Sequence, residues 1–535
     1  MSRIQPPPPL VIRTVNAGLY EGFNPIVAAI AKALAMAIVL LLITFPQGSS
    51  DAIAAVRQHS LSWFAAWYVY LLAAFVVFCV ALVFTPKAGR MKLGSDNAIP
   101  EHSTQSWLAM MFCAGIGVGV LVFSVSEPMS HYLANPDLMN GRVSSDSIDT
   151  VASSLRFTYL HWGFSAWACY AVIGLALGLA CHRLGNPLTM RSALAPLFGK
   201  RLEGTLGHAI DVIAILAIIA GITTTIVLGL EQIISGLSIL TGSHFFSDNA
   251  GNAPLTALLT ALVIAIAIAI GSITSGIERG VKWTSHLGIA LSFGLLMVFI
   301  TFGGGTRVIG LFWSAASTYL RDLPGLMSTV YDGNVASEAA QSNWQGTWTI
   351  FYWAWWIAFA PFVGLFLARI SKGRTVREFI LGAMLGPTAM CFIWFAGTGG
   401  SALLLELEGG ANGVIADAEH AFRIYAAVDF MLSPTTATVT KAVISLLFLV
   451  LIVASSTAAI LAIKSIGAAG SDRSETSFHS LSWAVVIASV AGAVMTVGGV
   501  SAIRDFMIAG AVPFSGIMAF MLISTCKMLR DDAQN

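Results

Sequence analysis

The chain has 535 residues, of which 56% are hydrophobic and only 10% are charged, and its formal net charge is +1. So few charges cannot solvate the surface of a soluble protein of this length, and a near-zero balance gives no basis for a nucleic-acid partner. The composition therefore predicts an all-α integral membrane protein.

Apolar stretches long enough to cross about 30 Å of hydrocarbon recur along the chain, each needing about 20 residues. We predict about twelve spans, with the N-terminus in the cytoplasm. About 20 of the Lys and Arg residues then face the cytoplasm and about 8 the other side, as the positive-inside rule requires. An even number of spans also returns the C-terminus to the cytoplasm. The predicted spans are 26–46, 62–84, 105–126, 158–181, 209–236, 254–272, 285–303, 348–369, 377–400, 438–462, 480–499 and 504–526.

The third span reads MMFCAGIGVGVLVFSVSEPMSHY, residues 110–132, with glycines at 115, 117 and 119 and a Glu-Pro pair at its expected end. Each glycine weakens a helix by about 1 kcal/mol. Small residues also permit close packing of helices in lipid, which is one explanation of the pattern. The other is a locally unwound helix, whose free backbone groups contact a ligand where they line a cavity.

The fourth span contains HWGFSAWACY, residues 161–170. On a helix, Trp162, Trp167 and Tyr170 lie within an arc of about 140° on one side. Packing in the protein core is one explanation of such residues. A shared aromatic surface for a ligand is the alternative.

Spans 3–7 and 8–12 form two groups of five after two leading spans. Groups with an odd number of spans insert with opposite orientations, which is the topology of an inverted repeat. The connector between them predicts an amphipathic helix on the outer face, and the acidic segment 401–437 predicts a solvated loop. The predicted divisions are an N-terminal segment 1–25, leading spans 26–104, a first repeat 105–303, a connector 304–347, a second repeat 348–526 and a tail 527–535.

The eighth span begins WTIFYWAWWIAFAPFVG, residues 348–364. On a helix, Trp353, Trp356 and Phe359 share one stripe and Trp355 points away from it. A belt at the membrane interface accounts for Trp348 but not for tryptophans well inside the span. A quaternary ammonium has no N–H to donate, so aromatic faces rather than hydrogen bonds recognise it. The sequence therefore favours an aromatic cage for a methylated ammonium, if this stripe meets the aromatic side of span 4.

Three stretches carry a family resemblance: GIGVGVLVFSVSEPMSHY in span 3, HWGFSAWACYAVIGLALG in span 4 and WTIFYWAWWIAFAPFVGLFLARISKGRTVREF in span 8. They resemble the betaine/choline/carnitine transporter (BCCT) family, over about residues 15–530. The resemblance implies a LeuT-like fold of five-plus-five inverted repeats after two leading helices, commonly in a homotrimer. It further implies a multi-pass protein of the bacterial cytoplasmic membrane, with both termini cytoplasmic, without enzymatic activity and without a cofactor.

The resemblance also implies a secondary transporter that imports a zwitterionic solute, with glycine betaine as the first expectation. Choline-type members tend to carry Asp where this chain has Gly119, so a net cation would lack a counter-charge here. Phe359 stands where the family has a further tryptophan. The family's aromatic box falls on Trp162, Trp167, Tyr170 and Trp356, and the full set of expected substrate-binding residues is Trp162, Trp167, Tyr170, Trp355, Trp356, Gly115, Ile116, Gly117, Gly119 and Phe359.

A zwitterion gains nothing from the membrane potential, whereas one co-transported cation brings about 2.3 kcal/mol per 100 mV. By resemblance we expect sodium as the coupling ion, although Ala454 replaces a family threonine in span 10. Glu231 is either a proton carrier or a residue that snorkels to the outer interface. The alternatives are a proton-coupled or exchange transporter of choline, carnitine or dimethylsulfoniopropionate, and a channel or ligand sensor of the same fold. The expected sodium ligands are Gly115, Ile116, Ser455, Thr223, Thr224, Thr225 and Phe362.

Overall fold

The structure is a computed structural model that describes residues 8–248, 251–275, 282–471 and 477–534. Within these residues there is no β-strand, and only two isolated bridges occur, Val15 with Glu21 and Lys92 with Thr375. The predicted all-α class is therefore confirmed. The predicted terminal segments lie partly outside the described residues, at 1–7 and 535.

The chain forms helices of two sizes, long ones that can cross a membrane and short ones between them. In chain order they are α1 Pro25–Thr44, α2 Pro46–Phe84, α3 Pro86–Arg90, α4 Thr104–Cys113, α5 Val118–Leu133, α6 Pro136–Met139, α7 Ile148–Trp162, α8 Phe164–Gly178, α9 Ala195–Phe198, α10 Thr205–Thr241, α11 Leu255–Thr274, α12 Lys282–Phe299, α13 Arg307–Leu326, α14 Ala339–Thr347, α15 Thr349–Ile370, α16 Val376–Phe395, α17 Ser401–Leu407, α18 Val414–Asp417, α19 Arg423–Met431, α20 Pro434–Gly467 and α21 Ser477–Gln534. Turns of π-helix extend α8, α12 and α16 through Leu179–Arg183, Ile300–Gly304 and Ala396–Gly400, and turns of 3₁₀-helix cover Met190–Leu194 and Gly199–Glu203.

Among the described residues, eleven helical segments are long and apolar enough to cross a membrane, and the bent pair α4 and α5 makes a twelfth. This agrees with the predicted number of spans. α21 holds the last two of them, joined at Gly498 and Gly499, where Gly499 has a left-handed φ of 60°. Several helices run beyond the predicted bounds, because hydropathy marks only the part of a helix that lies in hydrocarbon.

The sequence predicted the fourth span as one continuous helix, but in the structure it is interrupted. Gly163 separates α7 from α8, with φ −94° and ψ −141°. A Cβ on Gly163 would lie 2.5 Å from the Tyr159 carbonyl oxygen and 2.7 Å from the Tyr319 hydroxyl. That hydroxyl accepts a hydrogen bond of 3.0 Å from the Phe164 N–H. The missing side chain therefore lets α13 approach the break and satisfy one of the freed backbone groups.

The third span also differs from its prediction, because the Glu-Pro pair does not end it. α5 continues through Pro128 to Leu133. A proline leaves the carbonyl four residues earlier without its helical donor. Here that carbonyl belongs to Ser124, and the Thr398 hydroxyl donates to it at 3.2 Å. The donor from a neighbouring helix therefore keeps α5 intact, and Glu127 is fully buried rather than at a helix end.

The segment 401–437 was predicted to be a solvated loop, and this is wrong for much of it. α17 and α19 lie within it, and the Arg423 side chain is buried against α5. Its guanidinium donates to the Ser126 carbonyl at 3.0 Å and the Ser130 hydroxyl at 2.7 Å. Glu406 accepts three backbone N–H bonds from residues 413–416. Arg423 therefore holds this segment onto α5, and Glu406 orders the turn within it.

The connector contains the predicted amphipathic helix, α13. Val308, Leu311 and Ala315 on one side are buried, whereas Ile309 and Trp313 on the other are 59% and 65% exposed. Its buried side packs on α7. The helix therefore braces the part of the bundle that carries Trp162.

Candidate substrate-binding site

The predicted interruption of the third span is present. α4 ends at Cys113, α5 begins at Val118, and the two helices differ in direction by 56°. Gly115, Ile116 and Gly117 lie in the break, where Gly117 is extended with φ −160°. The first N–H groups of a helix have no partner within it, so the N-terminus of α5 presents free donors at this point.

Glycine in the break also sets how closely neighbouring helices approach. A Cβ on Gly115 would lie 3.0 Å from the Met390 side chain and 3.4 Å from the Pro387 carbonyl, both on α16. A Cβ on Gly117 would meet nothing within 4 Å. Both explanations of the glycine pattern therefore hold: Gly115 allows close packing against α16, and Gly117 lies in the unwound segment without a close neighbour.

The aromatic residues of spans 4 and 8 meet, as the sequence predicted. The Trp162 and Trp356 rings lie with centroids 4.9 Å apart, and the Tyr170 and Trp356 centroids are 6.2 Å apart. Trp167 contacts Tyr170 at 5.4 Å. All four side chains are between 4% and 7% exposed. We call Trp162, Trp167, Tyr170 and Trp356, with Tyr352 and Trp355, the aromatic cluster.

Trp355 belongs to this cluster, although the helical wheel placed it away from Trp356. Its ring lies 5.5 Å from that of Trp356, with an interplanar angle of 5°. A Cβ on Gly119 would lie 2.8 Å from the Trp355 ring and 3.1 Å from the Trp162 ring. Gly119 is therefore the place where α5 meets two indoles, and any side chain there would displace them.

Hydrogen bonds fix the ring orientations. The Trp356 indole donates to the His161 carbonyl at 2.9 Å, and the Trp167 indole donates to the Trp162 carbonyl at 3.1 Å. Both acceptors lie in the last turn of α7, where carbonyls lack helical donors. The break at Gly163 therefore holds the cluster together: it frees the carbonyls that orient two of its rings.

Phe359 lies beside the cluster rather than in it. Its ring contacts Trp355 at 6.3 Å and Phe362 at 5.9 Å. A Cβ on Gly221 of α10 would come within 2.6 Å of the Phe359 ring. Phe359 therefore packs α15 against α10.

The expected sodium ligands are only partly brought together. Phe362 contacts Phe359, which packs against Gly221 of α10, but no described contact joins Phe362 to Thr223. The buried Thr223 hydroxyl has no hydrogen-bond partner among the described residues. The Thr224 and Thr225 hydroxyls instead donate to carbonyls of their own helix, at 3.0 and 3.2 Å.

On α20 the expected Ser455 is partly exposed, whereas the neighbouring Ser456 and Thr457 are buried. Their hydroxyls have no partner in the described part of the chain. Val118, two residues after Ile116, and Ile452 of α20 both pack against Gly229 of α10. The break and α20 therefore approach each other, but no described contact joins Gly115 or Ile116 to Ser455.

Sequence reasoning missed Glu127. Its fully buried carboxylate lies directly behind the cluster and receives hydrogen bonds from the Trp162 indole at 2.7 Å and from the Tyr352 hydroxyl. His131 and His161 contact its other oxygen. The spacing of Glu127 and His131, four residues apart on one helix face, was a signal that could have shown part of this group.

Ligand atoms of Glu127, His131 and His161 lie within 4.8 Å of one another, close enough to hold a metal ion. The carboxylate oxygen is already shared by both imidazoles, and their outer nitrogens face Trp344 and Thr349. A divalent cation would also bring positive charge behind rings whose faces attract cations. We therefore assign a hydrogen-bonded group and not a metal centre.

A cavity of about 520 Å³ lies next to residues that contact the cluster. Phe123 and Phe351 line it, and their rings contact Trp355 at 5.9 and 5.5 Å. Glu231 lines it too, together with Arg504. No residue of the aromatic cluster lines the cavity itself; Phe123 and Phe351 lie between the cavity and Trp355, and the cavity has charged walls of both signs.

Comparison with known proteins agrees with these features. A family model described as BCCT, betaine/carnitine/choline family transporter, matches residues 26–534. A glycine betaine/proline/choline/ectoine transporter of Vibrio parahaemolyticus serotype O3:K6 is 32% identical over 526 residues, with 96% of this chain and 88% of the relative covered. The high-affinity choline transport protein of Escherichia coli K12 is 33% identical over 527 residues, with 95% and 72% covered.

A glycine betaine transporter of Acinetobacter baylyi is 32% identical over 505 residues, with 94% of this chain and 72% of the relative covered. A solved Na⁺-coupled sialic acid symporter aligns with 87% of this chain and 86% of its own, at a TM-score of 0.45 and 13% identity, which is too distant to support a statement about ions or cargo. The match of the family model to almost the whole chain, with three relatives above 30% identity, shows that this multi-pass membrane protein belongs to the betaine/carnitine/choline transporter (BCCT) family.

Proposed function

We propose that this transporter imports a zwitterionic quaternary-ammonium solute, glycine betaine in the first place, by sodium symport. The observation that carries the proposal is the meeting of Trp162, Trp167, Tyr170 and Trp356 from two separate spans. Cation–π contacts contribute about 0.5–2 kcal/mol each, so three or four rings supply about 2–8 kcal/mol. That range is compatible with millimolar to micromolar affinity after the cost of binding.

The opposite end of the cargo is proposed to meet α5. Gly119 provides no carboxylate for a net cation, and the helix N-terminus at Val118 presents free N–H groups and the positive end of a helix dipole. A carboxylate of the cargo fits that position. The name of the Vibrio parahaemolyticus relative includes glycine betaine, proline and ectoine, which are all zwitterions, beside choline.

Sodium coupling is supported by buried hydroxyls on α10 and α20 that have no hydrogen-bond partner among the described residues. A buried hydroxyl without a hydrogen bond is costly unless something else binds it. Thr223 on α10 and Ser456 and Thr457 on α20 carry such hydroxyls. Oxygen atoms of this kind are suitable ligands for a hard cation.

Uptake of labelled glycine betaine into proteoliposomes tests the proposal. With sodium higher outside than inside, we expect betaine to accumulate above its external concentration. With equal sodium on both sides and no membrane potential, we expect equilibration only. Accumulation that ignores sodium would contradict symport with this ion, and failure to concentrate betaine under any gradient would indicate a channel or a ligand sensor.

Proton coupling is the second candidate, and the place of Glu231 favours it. This carboxylate lies within α10 and lines the cavity beside Phe123 and Phe351. Carboxylates within membrane spans are candidates for proton carriers. Uptake that follows a proton gradient in the absence of sodium, and that is lost in Glu231→Gln, would establish this mechanism instead.

Assembly and location complete the proposal. The family resemblance implies a homotrimer in the bacterial cytoplasmic membrane with both termini inside. Native mass spectrometry of the detergent-solubilised protein is expected to give three chains per particle. Proteolysis of a tag at either end in inside-out but not right-side-out vesicles is expected to place both termini in the cytoplasm.

A further inference from the structure

Glu127 is a fully buried carboxylate in the middle of α5. Its Oε1 lies 2.7 Å from His161 Nδ1 and 3.3 Å from His131 Nε2. Its Oε2 receives the Trp162 indole N–H at 2.7 Å and contacts the Tyr352 hydroxyl. Four polar groups therefore surround a single carboxylate.

The groups that contact each imidazole on the side away from Glu127 determine which imidazole nitrogen carries the proton. The Trp344 indole, which can only donate, bonds to His131 Nδ1 at 3.3 Å. The proton of a neutral His131 therefore sits on Nε2, facing Glu127. The Thr349 hydroxyl lies 3.1 Å from His161 Nε2 and can donate there, which leaves the His161 proton on Nδ1, also facing Glu127.

With these assignments all four groups donate to Glu127. An ionised carboxylate offers about four lone-pair sites, so four donors saturate it, whereas a protonated carboxyl group would lose an acceptor site to its own proton. Hydrogen bonds to a charged acceptor are also about twice as strong as those between neutral groups. The pattern fits an ionised Glu127 between two neutral imidazoles.

Among the described residues, the charge of Glu127 has no Lys or Arg partner. Its ion-pair contacts within the described residues are the two histidines alone. Arg423 bonds to the Ser126 carbonyl and the Ser130 hydroxyl on either side, and Arg504 lies over the Phe351 ring at 5.0 Å. A buried charge without a compensating charge is costly, so its retention beside a cation-binding surface indicates that the cargo supplies the compensation.

The carboxylate is connected to the binding surface through rings. Trp162 meets Trp356 at 4.9 Å, and the Tyr352 ring stacks on that of Trp356 at 5.6 Å with an interplanar angle of 24°. A hydrogen bond from an indole N–H or a phenol O–H to a carboxylate shifts electron density into the ring. The ring face becomes more negative, and its attraction for a cation increases.

We propose that Glu127 is the counter-charge of the cation site, acting through Trp162 and Tyr352 without touching the cargo. The inference rests on the proposed function, because it needs a quaternary ammonium at the aromatic cluster. It assigns to Glu127 the discrimination between a cationic head group and an uncharged one of the same shape. Because Glu127 stands behind the rings and does not touch the cargo, a net cation still lacks the directly contacting carboxylate that Gly119 does not provide.

The test compares glycine betaine with 3,3-dimethylbutanoate, in which carbon replaces the quaternary nitrogen. Binding of each to the purified full-length protein is measured by intrinsic tryptophan fluorescence and by competition with labelled betaine. Glu127→Gln keeps the shape and removes the charge. We expect betaine affinity to fall about tenfold, equivalent to about 1.4 kcal/mol, while the affinity for the isostere is unchanged or higher. Glu101→Gln, an exposed carboxylate paired with Lys372, is the control and should change neither.

A betaine-to-isostere ratio that is the same in Glu127→Gln and wild type would overturn the inference. A Glu127→Asp variant separates charge from positioning, because a purely positioning role would suffer from the shorter side chain while the charge account retains most of the discrimination. If Glu127→Gln does not fold, Tyr352→Phe is the variant to test. It keeps the ring but removes one hydrogen bond to Glu127, and it should lower the betaine-to-isostere affinity ratio two- to threefold. An unchanged ratio would again overturn the inference. A wild type that binds no quaternary ammonium would instead refute the proposed function, and this inference would fall with it.

Discussion

The aromatic cluster and the predicted sodium ligands lie in the same helical bundle, yet they differ in how many of their buried polar groups have hydrogen-bond partners. In the cluster, the indoles of Trp162, Trp167 and Trp356 donate to named acceptors, whereas the buried Trp355 indole N–H has no partner among the described residues. On α10 and α20, the hydroxyls of Thr223 and Ser456 are buried and have no hydrogen-bond partner among the described residues. Hydrogen bonds within the protein therefore orient three of the four indoles of the cluster, whereas these two hydroxyls make none among the described residues.

The difference shows which kind of ligand each set of residues suits. A methylated ammonium needs large rings held in fixed orientations, and rings can be fixed by packing and hydrogen bonds before anything binds. A sodium site needs several oxygen atoms converging on one point, and such oxygens repel one another until the ion arrives. The aromatic cluster should therefore tolerate mutation least.

The largest effect is expected from Trp356→Ala. Trp356 contacts Trp162, Tyr170, Tyr352 and Trp355, so its loss removes a ring face and loosens the rest. We predict that betaine affinity falls about tenfold or more, which corresponds to the loss of one desolvated cation–π contact. Isothermal titration calorimetry measures the change.

Trp283→Ala on α12 provides the control, because that side chain is 77% exposed. It should leave betaine affinity unchanged. Equal affinity in wild type and Trp356→Ala would remove the basis for assigning the cluster as the binding site.

A smaller effect is expected from Gly119→Ala. The added Cβ would lie 2.8 Å from the Trp355 ring and 3.1 Å from the Trp162 ring, so at least one indole must shift. We predict a three- to tenfold loss of betaine affinity with little loss of thermal stability. Gly117→Ala, whose Cβ would meet no atom within 4 Å, is the matched variant and should bind betaine more nearly as wild type does. The reverse order of the two variants would show that the packing at Gly119 does not govern the rings.

Thr223→Ala tests whether the Thr223 hydroxyl is a sodium ligand. If its free hydroxyl is an ion ligand, the sodium concentration for half-maximal uptake should rise about three- to tenfold, while betaine affinity at saturating sodium stays the same. Thr224→Ala removes a hydroxyl that already bonds to the Ala220 carbonyl and should change the sodium requirement less. Equal sodium dependence in Thr223→Ala and wild type would exclude Thr223 as a ligand.

The smallest effect is expected from Glu231→Gln. This carboxylate lines the cavity beside Phe123 and Phe351 and lies outside the rings and the break. Under a sodium gradient we predict uptake within about twofold of wild type. A complete loss of uptake would indicate coupling to protons and not to sodium.

Much of this architecture could be predicted from the sequence, because hydrophobic length and glycine spacing have direct structural consequences. The break near Gly115 followed from three alternating glycines, and the meeting of spans 4 and 8 followed from their aromatic residues. The break at Gly163 was missed because a single glycine inside an apolar run gives no such signal. Only the approach of Tyr159 and Tyr319 to that position shows why it must be glycine.

Glu127 was missed for a related reason. Proline commonly ends a helix, so Pro128 placed the preceding Glu127 at a predicted span end. The donor that keeps α5 intact, the Thr398 hydroxyl, comes from a residue 274 positions from the Ser124 carbonyl that accepts it. Contacts between such distant residues decide whether a helix continues, and no local pattern reveals them.

The position of the quaternary nitrogen itself is the most direct test of the account. Arsenobetaine, in which arsenic replaces that nitrogen, can be located by anomalous scattering in crystals of the sodium-loaded protein. The account predicts one arsenic peak within about 6 Å of the Trp356 ring centroid and of at least two other rings of the aromatic cluster. A peak confined to the cavity beside Arg504 and Glu231, with none at the cluster, would contradict it.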